Sequence, residues 1–306
     1  MLRYDDLQVF VHTSDSGSLS AAARQLEISP AVASAALKRL ESELEVRLFA
    51  RSTRSLRLTP EGDAFLLHAR ASLRSLEEGR RLLQGGKDQI AGVLQLSAPS
   101  DFGRNLLLPW LDEFQARYPQ LSLRLLLGDR VTDLYRQPVD VAIRYGAPAD
   151  SSLVALPLAP DNRRGRCAAP GYLAERGEPR QPDDLREHNC LLYQLGGRVH
   201  DRWAFQRGRR SLTLTVAGDR VCDDADVVRR WALAGKGLVY KSWLDVAEDV
   251  RAGRLRRRLP EWQGEATPMN LLCTHRAQLT RPVTLLRAFV RERCDALLAE
   301  APWTRN

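Results

Sequence analysis

Residues 18–58 read SLSAAARQLEISPAVASAALKRLESELEVRLFARSTRSLRL. Two short helical patterns meet at a tight turn, and a basic hairpin follows. Ala21, Ala22 and Leu26 share one face of the first helix. Ser29 is placed to N-cap the second, with Pro30 in its first turn, where a missing N–H costs nothing. Val32 or Ala33, together with Leu37 and Leu40, gives that second helix its apolar stripe. The small alanines let the two helices cross closely. The pattern predicts a helix-turn-helix, a device for placing one helix in the DNA major groove.

On that second helix Ser29, Pro30, Ala31 and Ser34 lie on the leading, exposed half and face bases, while Lys38 sits one turn further on, better placed for phosphate. Arg39 adjoins it. Behind the helix Arg47, Arg51, Arg54 and Arg57 run with no acidic residue between them. Such a run is either a solvated loop or a set of phosphate contacts, and its place after a recognition helix favours the second. The expected DNA contacts are therefore Ser29, Pro30, Ala31, Ser34, Lys38, Arg39, Arg51, Thr53 and Arg54.

The 306 residues suffice for two or three domains with their own cores. A formal net charge of +8 and a pI near 9.6 suit an anionic partner such as nucleic acid. No apolar run approaches the roughly 18–20 residues of a membrane span, and the start, MLRYDDLQVF, carries no apolar signal core. A cytoplasmic protein is expected. Cys167, Cys190, Cys222, Cys273 and Cys294 are widely spaced, odd in number and free of any CxxC, which argues against a disulfide framework. No nucleophile elbow, HExxH, Walker loop or GxGxxG is present, and the five histidines show no metal spacing. Neither an enzyme nor a cofactor or metal protein is indicated.

From Pro60 to about Gln84 the pattern stays helical. Leu66, Ala69, Leu73, Leu76 and Leu83 form an a/d-type seam, and Arg70, Arg74, Glu77, Glu78 and Arg81 form the charged face opposite. The seam joins two copies of the chain or packs on its own domain; the first is expected. Gly85-Gly86 breaks the helix. Beyond Ala91 short apolar runs alternate with helical patterns: strands at 93–97, 121–127, 139–144, 166–169, 190–194, 212–216, 237–241 and 269–274, and helices at 106–118, 224–234 and 282–299. This is the texture of an α/β domain with a mostly parallel sheet.

The chain resembles the LysR-type transcriptional regulators over essentially its whole length. In the N-terminal part the carrying residues are Ala21-Ala22-Ala23, Leu26, Ser29-Pro30, Leu37-Lys38-Arg39-Leu40-Glu41, Leu48-Phe49-x-Arg51 and Leu58-Thr59-Pro60-Glu61-Gly62. Further on they are Ser97-Ala98-Pro99-Ser100, Pro109-x-Leu111-x-x-Phe114, Tyr118-Pro119, Asp140-Val141-Ala142-Ile143-Arg144, Pro170-Gly171-Tyr172-Leu173, Ala234-Gly235-Lys236-Gly237-Leu238 and Gly253-Arg254-Leu255. Two departures stand out. Glu45 replaces the family's usual Gly, so a strained turn is expected there, and Ala35 replaces a frequent Arg, which removes one DNA contact.

The resemblance implies an α+β multidomain chain. An all-α winged helix-turn-helix (1–59) would lead through a linker and dimerisation helix (60–88) to an α/β, two-lobed effector domain (89–306) similar to periplasmic binding proteins. Lobe I would comprise 91–160 and 268–306, lobe II 161–267. It also implies double-stranded promoter DNA, a small-molecule effector, further copies of the chain (a homodimer or a dimer of dimers) and RNA polymerase as partners. The blocks Asp150-Ser151-Ser152-Leu153-Val154-Ala155 and Lys241-Ser242-Trp243-x-Asp245-Val246 resemble the branch that governs small organic acid metabolism.

In such lobes the ligand lies outside the carboxyl ends of the strands. Ser97 and Ser100 stand where the first strand feeds a helix whose N-terminus offers free N–H groups to an anion, unless Ser100 is only an N-cap. Asp129 and Arg130 follow the second strand and Arg144 ends the third; Arg144 faces the ligand or pairs with Asp140 or Asp101. Asn162 and Arg163 stand near the crossover between the lobes. Tyr193, His200 and Lys241 lie on the second lobe; His200 has a surface alternative, and Lys241 faces cleft or solvent. These cations with few opposing acids suggest an anionic effector, most simply a small organic acid. A thiol-based redox sensor is the alternative within regulators, and a two-lobed solute-binding protein or enzyme the alternative outside them. Two arginine clusters, Arg207 to Arg210 around Gly208 and Arg254 to Arg258, read as solvated loops.

Overall fold

The computed structural model describes every residue except 52–55, 84–89, 130–138, 149–151, 196 and 304–306. Its chain separates into two compact units, Met1–Gln89 and Ile90–Asn306.

In the first unit α1 (Tyr4–Ser16), α2 (Leu19–Gln25) and α3 (Pro30–Glu43) pack on one another. Ser18 and Ser29 cap α2 and α3, their hydroxyls accepting from Ala21 N and Val32 N at 3.3 Å each. The buried stripe of α3 is Ala33, Ala36, Leu37 and Leu40, so the choice between Val32 and Ala33 falls to Ala33; Val32 is 51% exposed. On α2 the buried alanines are Ala22 and Ala23, with Ala21 only half-buried. Methyl groups at Ala23, Ala33 and Ala36 meet Val9 of α1, which sets the close helix crossing. The antiparallel pair β1 (Phe49–Arg51) and β2 (Leu56–Leu58) forms the wing and leads into α4 (Pro60–Leu83). The sequence Thr-Pro-Glu-Gly at that junction has a mechanical role. Thr59 accepts from Gly62 N at 2.9 Å and donates to the Arg47 carbonyl at 2.6 Å. A side chain at Gly62 would come within 2.1 Å of the Leu48 carbonyl oxygen, so only glycine lets α4 pass the wing so closely.

The seam of α4 is corrected in its first half. Leu66 and Ala69 are buried in their own unit with Leu7, Phe10, Leu37, Leu40, Leu48 and Phe49, and Leu73 packs partly against them. They close the core of a small domain that needs every apolar residue it has. Leu76, by contrast, is 59% exposed.

In the second unit β3 (Gly92–Ala98) leads to α5 (Ser100–Phe102), a π turn (Gly103–Leu107) and α6 (Leu108–Arg117). Pro109 has no N–H for the regular ladder, and Leu108 N reaches back to the Gly103 carbonyl instead, widening the turn. Strands β4 (Leu121–Leu127), β5 (Val141–Tyr145) and β6 (Val154–Ala159) follow. The chain then crosses to a second lobe: β7 (Arg164–Ala168), α7 (Pro170–Arg176), β8 (Cys190–Leu195), β9 (Arg198–Val199), the hairpin of β10 (Arg202–Arg207) and β11 (Arg210–Thr215), β12 (Val221–Cys222), α8 (Ala225–Leu233), β13 (Leu238–Ser242), α9 (Trp243–Arg251) and β14 (Arg256–Arg258). It returns through β15 (Met269–Cys273) and α10 (Arg281–Ala299) to the first lobe.

The first lobe's sheet has the order β4-β3-β5-β15-β6, the second's β12-β8-β13-β7-β14. Both are mixed, not mostly parallel as expected. Pairs β3–β4, β3–β5, β8–β12 and β8–β13 are parallel, while β15–β5, β15–β6, β7–β13 and β7–β14 are antiparallel. The cause is the double crossing: a chain that leaves a lobe and comes back lays its returning strand against the outgoing one. The two crossing segments themselves run antiparallel, bridged at Arg163 and Ala266. Asn162, fully buried between them, donates to the Thr267 carbonyl at 2.8 Å and to Ser242 Oγ at 2.9 Å. The arginine clusters also lie in regular structure: Arg207 and Arg210 close the β10–β11 hairpin around Gly208 at φ +57°, and Arg256–Arg258 is the edge strand β14.

Candidate DNA interface and effector cleft

On α3 the exposed residues are Pro30, Ala31, Val32, Ala35, Lys38 and Arg39 and, in the last turn, Ser42 and Glu43, with Ser34 half-buried beside the first of them. Ala31, Ser34, Ala35 and Lys38 follow i, i+3, i+4, i+7 spacing and share a face. Ser29 is exposed but its hydroxyl is spent as the cap. Arg39 departs from the expectation. Its guanidinium grips Asp6 of α1 in a fork, at 2.6 Å and 3.2 Å, so that it ties α3 to α1. Of the arginine run, Arg47 bonds Glu41 at 2.9 Å and Arg57 is exposed. Arg51 belongs to β1, and Thr53 and Arg54 lie outside the described residues. An open depression of about 420 Å³ lies at the end of α3 and the turn that follows it, lined by Lys38, Glu41, Ser42, Glu45, Val46 and Arg47.

Nothing in the apolar pattern marked Glu41, yet it organises this corner. Its buried carboxylate accepts from Leu48 N at 2.9 Å and Phe49 N at 3.3 Å, fixing the entry to the wing. The turn it closes contains Glu45 at φ +56°, the left-handed region where the strained position was expected.

In the second unit Ser97, Arg144, Tyr193 and Lys241 all sit towards the carboxyl ends of their strands. Arg144 donates to Ser97 Oγ at 2.6 Å and to the neighbouring Ile143 carbonyl at 2.7 Å. Burial holds its pKa below the usual arginine value, with Asp129 working the other way. Neither expected partner takes it: Asp101 pairs with Lys241, and Asp140 accepts from Gln95 N. Among the described residues no carboxylate lies within ion-pair distance of Arg144.

Three expectations are corrected. Ser100 offers no free N–H group, because Asp129 accepts from both its amide, at 2.9 Å, and its hydroxyl. Lys241 faces neither an open cleft nor solvent. It is buried between Asp101 at 2.5 Å and Asp245 at 3.2 Å. Burial opposes its charge, but the two carboxylates outweigh it and hold the lysine above its ordinary range. His200 is not a surface residue. It is half-buried, stacks on Tyr193 with centroids 4.9 Å apart, and meets Glu265 at 3.2 Å. Arg130 lies outside the described residues.

The acids were undercounted because several are buried inside apolar patterns. Asp101, Asp226, Asp245 and Asp249 are each under a tenth exposed. Asp245 accepts from Tyr145 Oη at 2.5 Å, and Asp249 binds Arg229 and Arg254. On the second lobe Arg164 lies over the rings of Tyr193 and Tyr240, at 5.1 Å and 5.8 Å, and bonds Glu265 at 2.6 Å. Two buried atoms of this cluster, Tyr193 Oη and His200 Nδ1, have no hydrogen-bond partner among the described residues.

Four of the cysteines are buried. Burial pushes Cys167, Cys190 and Cys294 up to about 12 and raises Cys273 as well, so these thiols are poor nucleophiles. Only Cys222 is half-exposed. Among the described residues no group of three or more His, Cys, Asp and Glu could hold a metal ion, and no helix is long and apolar enough to cross a membrane.

The geometry agrees with what the chain is similar to. Residues 4–63 match the model of the bacterial regulatory helix-turn-helix proteins of the lysR family, and residues 87–295 match that of the LysR substrate binding domain. The transcriptional activator TtdR of Escherichia coli is 32% identical over 283 residues, covering 92% of this chain and 89% of its own. A transcriptional repressor of Pseudomonas aeruginosa is 33% identical over 298 residues, 97% of this chain and 92% of its own. Among solved structures, CrgA, a LysR-type transcriptional regulator from Neisseria meningitidis, is similar with a TM-score of 0.59 and 30% identity, covering 95% of this chain and 99% of that one. Full-length OxyR of Pseudomonas aeruginosa has a TM-score of 0.67 over 99% of this chain and 96% of its own; at 17% identity that likeness speaks for the fold alone. With both parts matched in order and along nearly its whole length, the chain belongs to the LysR family, as a DNA-binding transcriptional regulator with a substrate-binding effector domain.

Proposed function

We propose that the effector is a small organic anion held at the carboxyl ends of β3, β5 and β8, with Arg144 as its counter-ion. The observation that carries this reading is the lone guanidinium: a partly buried cation, braced by Ser97, with no carboxylate within ion-pair distance among the described residues. A buried charge without a partner is costly, and an incoming carboxylate removes that cost. Tyr193 Oη and His200 Nδ1, both buried and without a partner among the described residues, supply further polar contacts from the second lobe. Lys241 is left out of this set because Asp101 and Asp245 consume its charge. A thermal-shift screen of the full chain against organic acids, with neutral and cationic analogues alongside, tests the reading. Carboxylates should give the largest stabilisation; a neutral or cationic compound heading the ranking contradicts it. Thiol-based sensing would rest on Cys222 alone, and loss of response after selective alkylation of that thiol would favour it over the organic anion.

For DNA we propose that α3 reads bases through Pro30, Ala31, Ser34 and the exposed Val32, and touches phosphate through Lys38. Arg51, Thr53 and Arg54, the remaining contacts expected from the sequence, complete the set, with Arg39 left to position α3. The chain works as a homodimer or dimer of dimers joined through the outer part of α4, where Leu76 is exposed, and it contacts RNA polymerase at the promoter.

A further inference from the structure

The carboxylate of Asp129 is held as a bound anion would be. One oxygen accepts from Ser100 N at 2.9 Å. The other accepts from the Ser100 hydroxyl and, across the gap between the lobes, from Ala225 N at 2.7 Å. Ala225 is the first residue of α8, a helix of 9 residues whose next two amides, Asp226 N and Val227 N, are already taken by the side chain of Asp224. Asp129 itself follows β4 of the first lobe. Ala225 N is shared, donating also to Ser100 Oγ at 3.0 Å, but the shorter contact is to Asp129, whose side chain thus holds the first amide of a second-lobe helix while also binding its own lobe. Arg104 and Arg144 both feel its charge.

The neighbouring contacts across the gap have a different character. Arg104 with Asp224 at 2.8 Å, Asn105 with Asp226 at 2.9 Å and Lys241 with Asp101 at 2.5 Å are charged or amide side chains that find each other. The Ser100 hydroxyl also accepts from Ala225 N, but among the described residues only Asp129 places a carboxylate onto backbone N–H groups of both lobes at once, the contact that an organic anion bridging them would make.

We propose that Asp129 is an internal ligand: its carboxylate latches the two lobes together in the absence of effector, and an effector anion acts by displacing it. This deepens the reading of the cleft given above and rests on it for the nature of the displacing molecule, though not for the latch itself. An aspartate tethered to the fold competes at high effective concentration. A small carboxylate therefore binds the wild-type chain weakly at this position and binds strongly only once the tether is cut.

The test is chemical rescue in the full-length protein. Asp129→Ala should lower the melting transition of the effector domain by roughly 3–10 °C, as expected for losing hydrogen bonds to a charged group. Sodium acetate should restore most of that loss, sodium chloride at equal ionic strength should not, and acetate should leave the wild type unmoved. Asp129→Asn still fills the seat but in either orientation turns its amide NH₂ towards at least one backbone N–H, so it should melt low and resist rescue. The latch is overturned if acetate shifts wild type and Asp129→Ala equally, if it shifts neither, or if Asp129→Asn melts with the wild type. Rescue by acetate, combined with unchanged organic-acid binding by Arg144→Ala, upholds the latch while the Arg144 reading falls. Failed rescue with weakened binding by Arg144→Ala overturns the latch and leaves that reading standing.

Discussion

Ser34 and Lys38 share an exposed face of α3 but are assigned different work. A carboxylate at Ser34 would face base-edge acceptors and phosphates, so Ser34→Glu should abolish specific binding in a mobility-shift assay. Lys38→Ala should weaken all sequences alike and lower the salt slope by about 1. Equal loss of specificity in both variants would contradict the division of roles. Glu45 makes a second prediction at this scale. A non-glycine residue in the left-handed region costs about 1–2 kcal/mol, and glycine's extra chain entropy takes back about 0.5–1. Glu45→Gly should therefore stabilise the N-terminal domain by up to about 1.5 kcal/mol in denaturant unfolding; a loss of stability would show that the Glu45 side chain carries a compensating interaction. That strain was visible in the sequence because a family habit was broken at Glu45. The role of Glu41 was not, since a buried acid accepting backbone amides leaves no periodic trace.

Among the elements, α4 shows how an apolar seam divides its labour. Leu66 and Ala69, with Leu73 partly, close the core of their own domain, whereas Leu76 is exposed. Leu73→Asp should thus destabilise the domain itself. Leu76→Asp should leave folding intact but place a charge in the contact between copies, where a buried unpaired carboxylate costs several kcal/mol. Sedimentation of Leu76→Asp should show a smaller species with unchanged helicity; an unchanged assembly would exclude this face from the interface. The apolar spacing of α4 was legible, but its partner was not, because periodicity reports which face is buried and not against what. The sheets followed the same rule. Strand β4 lies where expected, at Leu121–Leu127, but the antiparallel edges came from a double crossing between lobes that no local pattern encodes. Helix α9 escaped notice because its first residues, Trp243 and Leu244, continue the apolar run of β13.

Across the whole effector domain, the two lobes are tied by buried charge. Asp101 is pushed up to about 7, chiefly by burial and further by Asp245, with Lys241 and Arg229 pulling the other way; Asn105 donates to it at 2.7 Å. In the unfolded chain an aspartate titrates near 3.9. Between about pH 4 and 7 the folded chain therefore holds a proton that the unfolded chain has lost, and this group's contribution to stability falls as pH rises. Asp101→Asn should flatten that decline in melting temperature measured from about pH 5.5 to 8. His188, lowered by burial, acts in the opposite sense, so the difference between variant and wild type is the quantity to read. Identical slopes would exclude Asp101 as the titrating group. The positive cleft was only half legible: the cations stood out in the sequence, while the acids that neutralise Lys241 and occupy the amide of Ser100 were hidden by the fold.

Whether Arg144 holds a carboxylate effector is decided by calorimetric titration of the full-length protein with the best organic acid from the screen. Arg144→Ala should bind it roughly tenfold to a hundredfold more weakly, the value of one charge-assisted hydrogen-bonding group, while ligand-free DNA binding stays unchanged. Equal affinity of wild type and Arg144→Ala would contradict it.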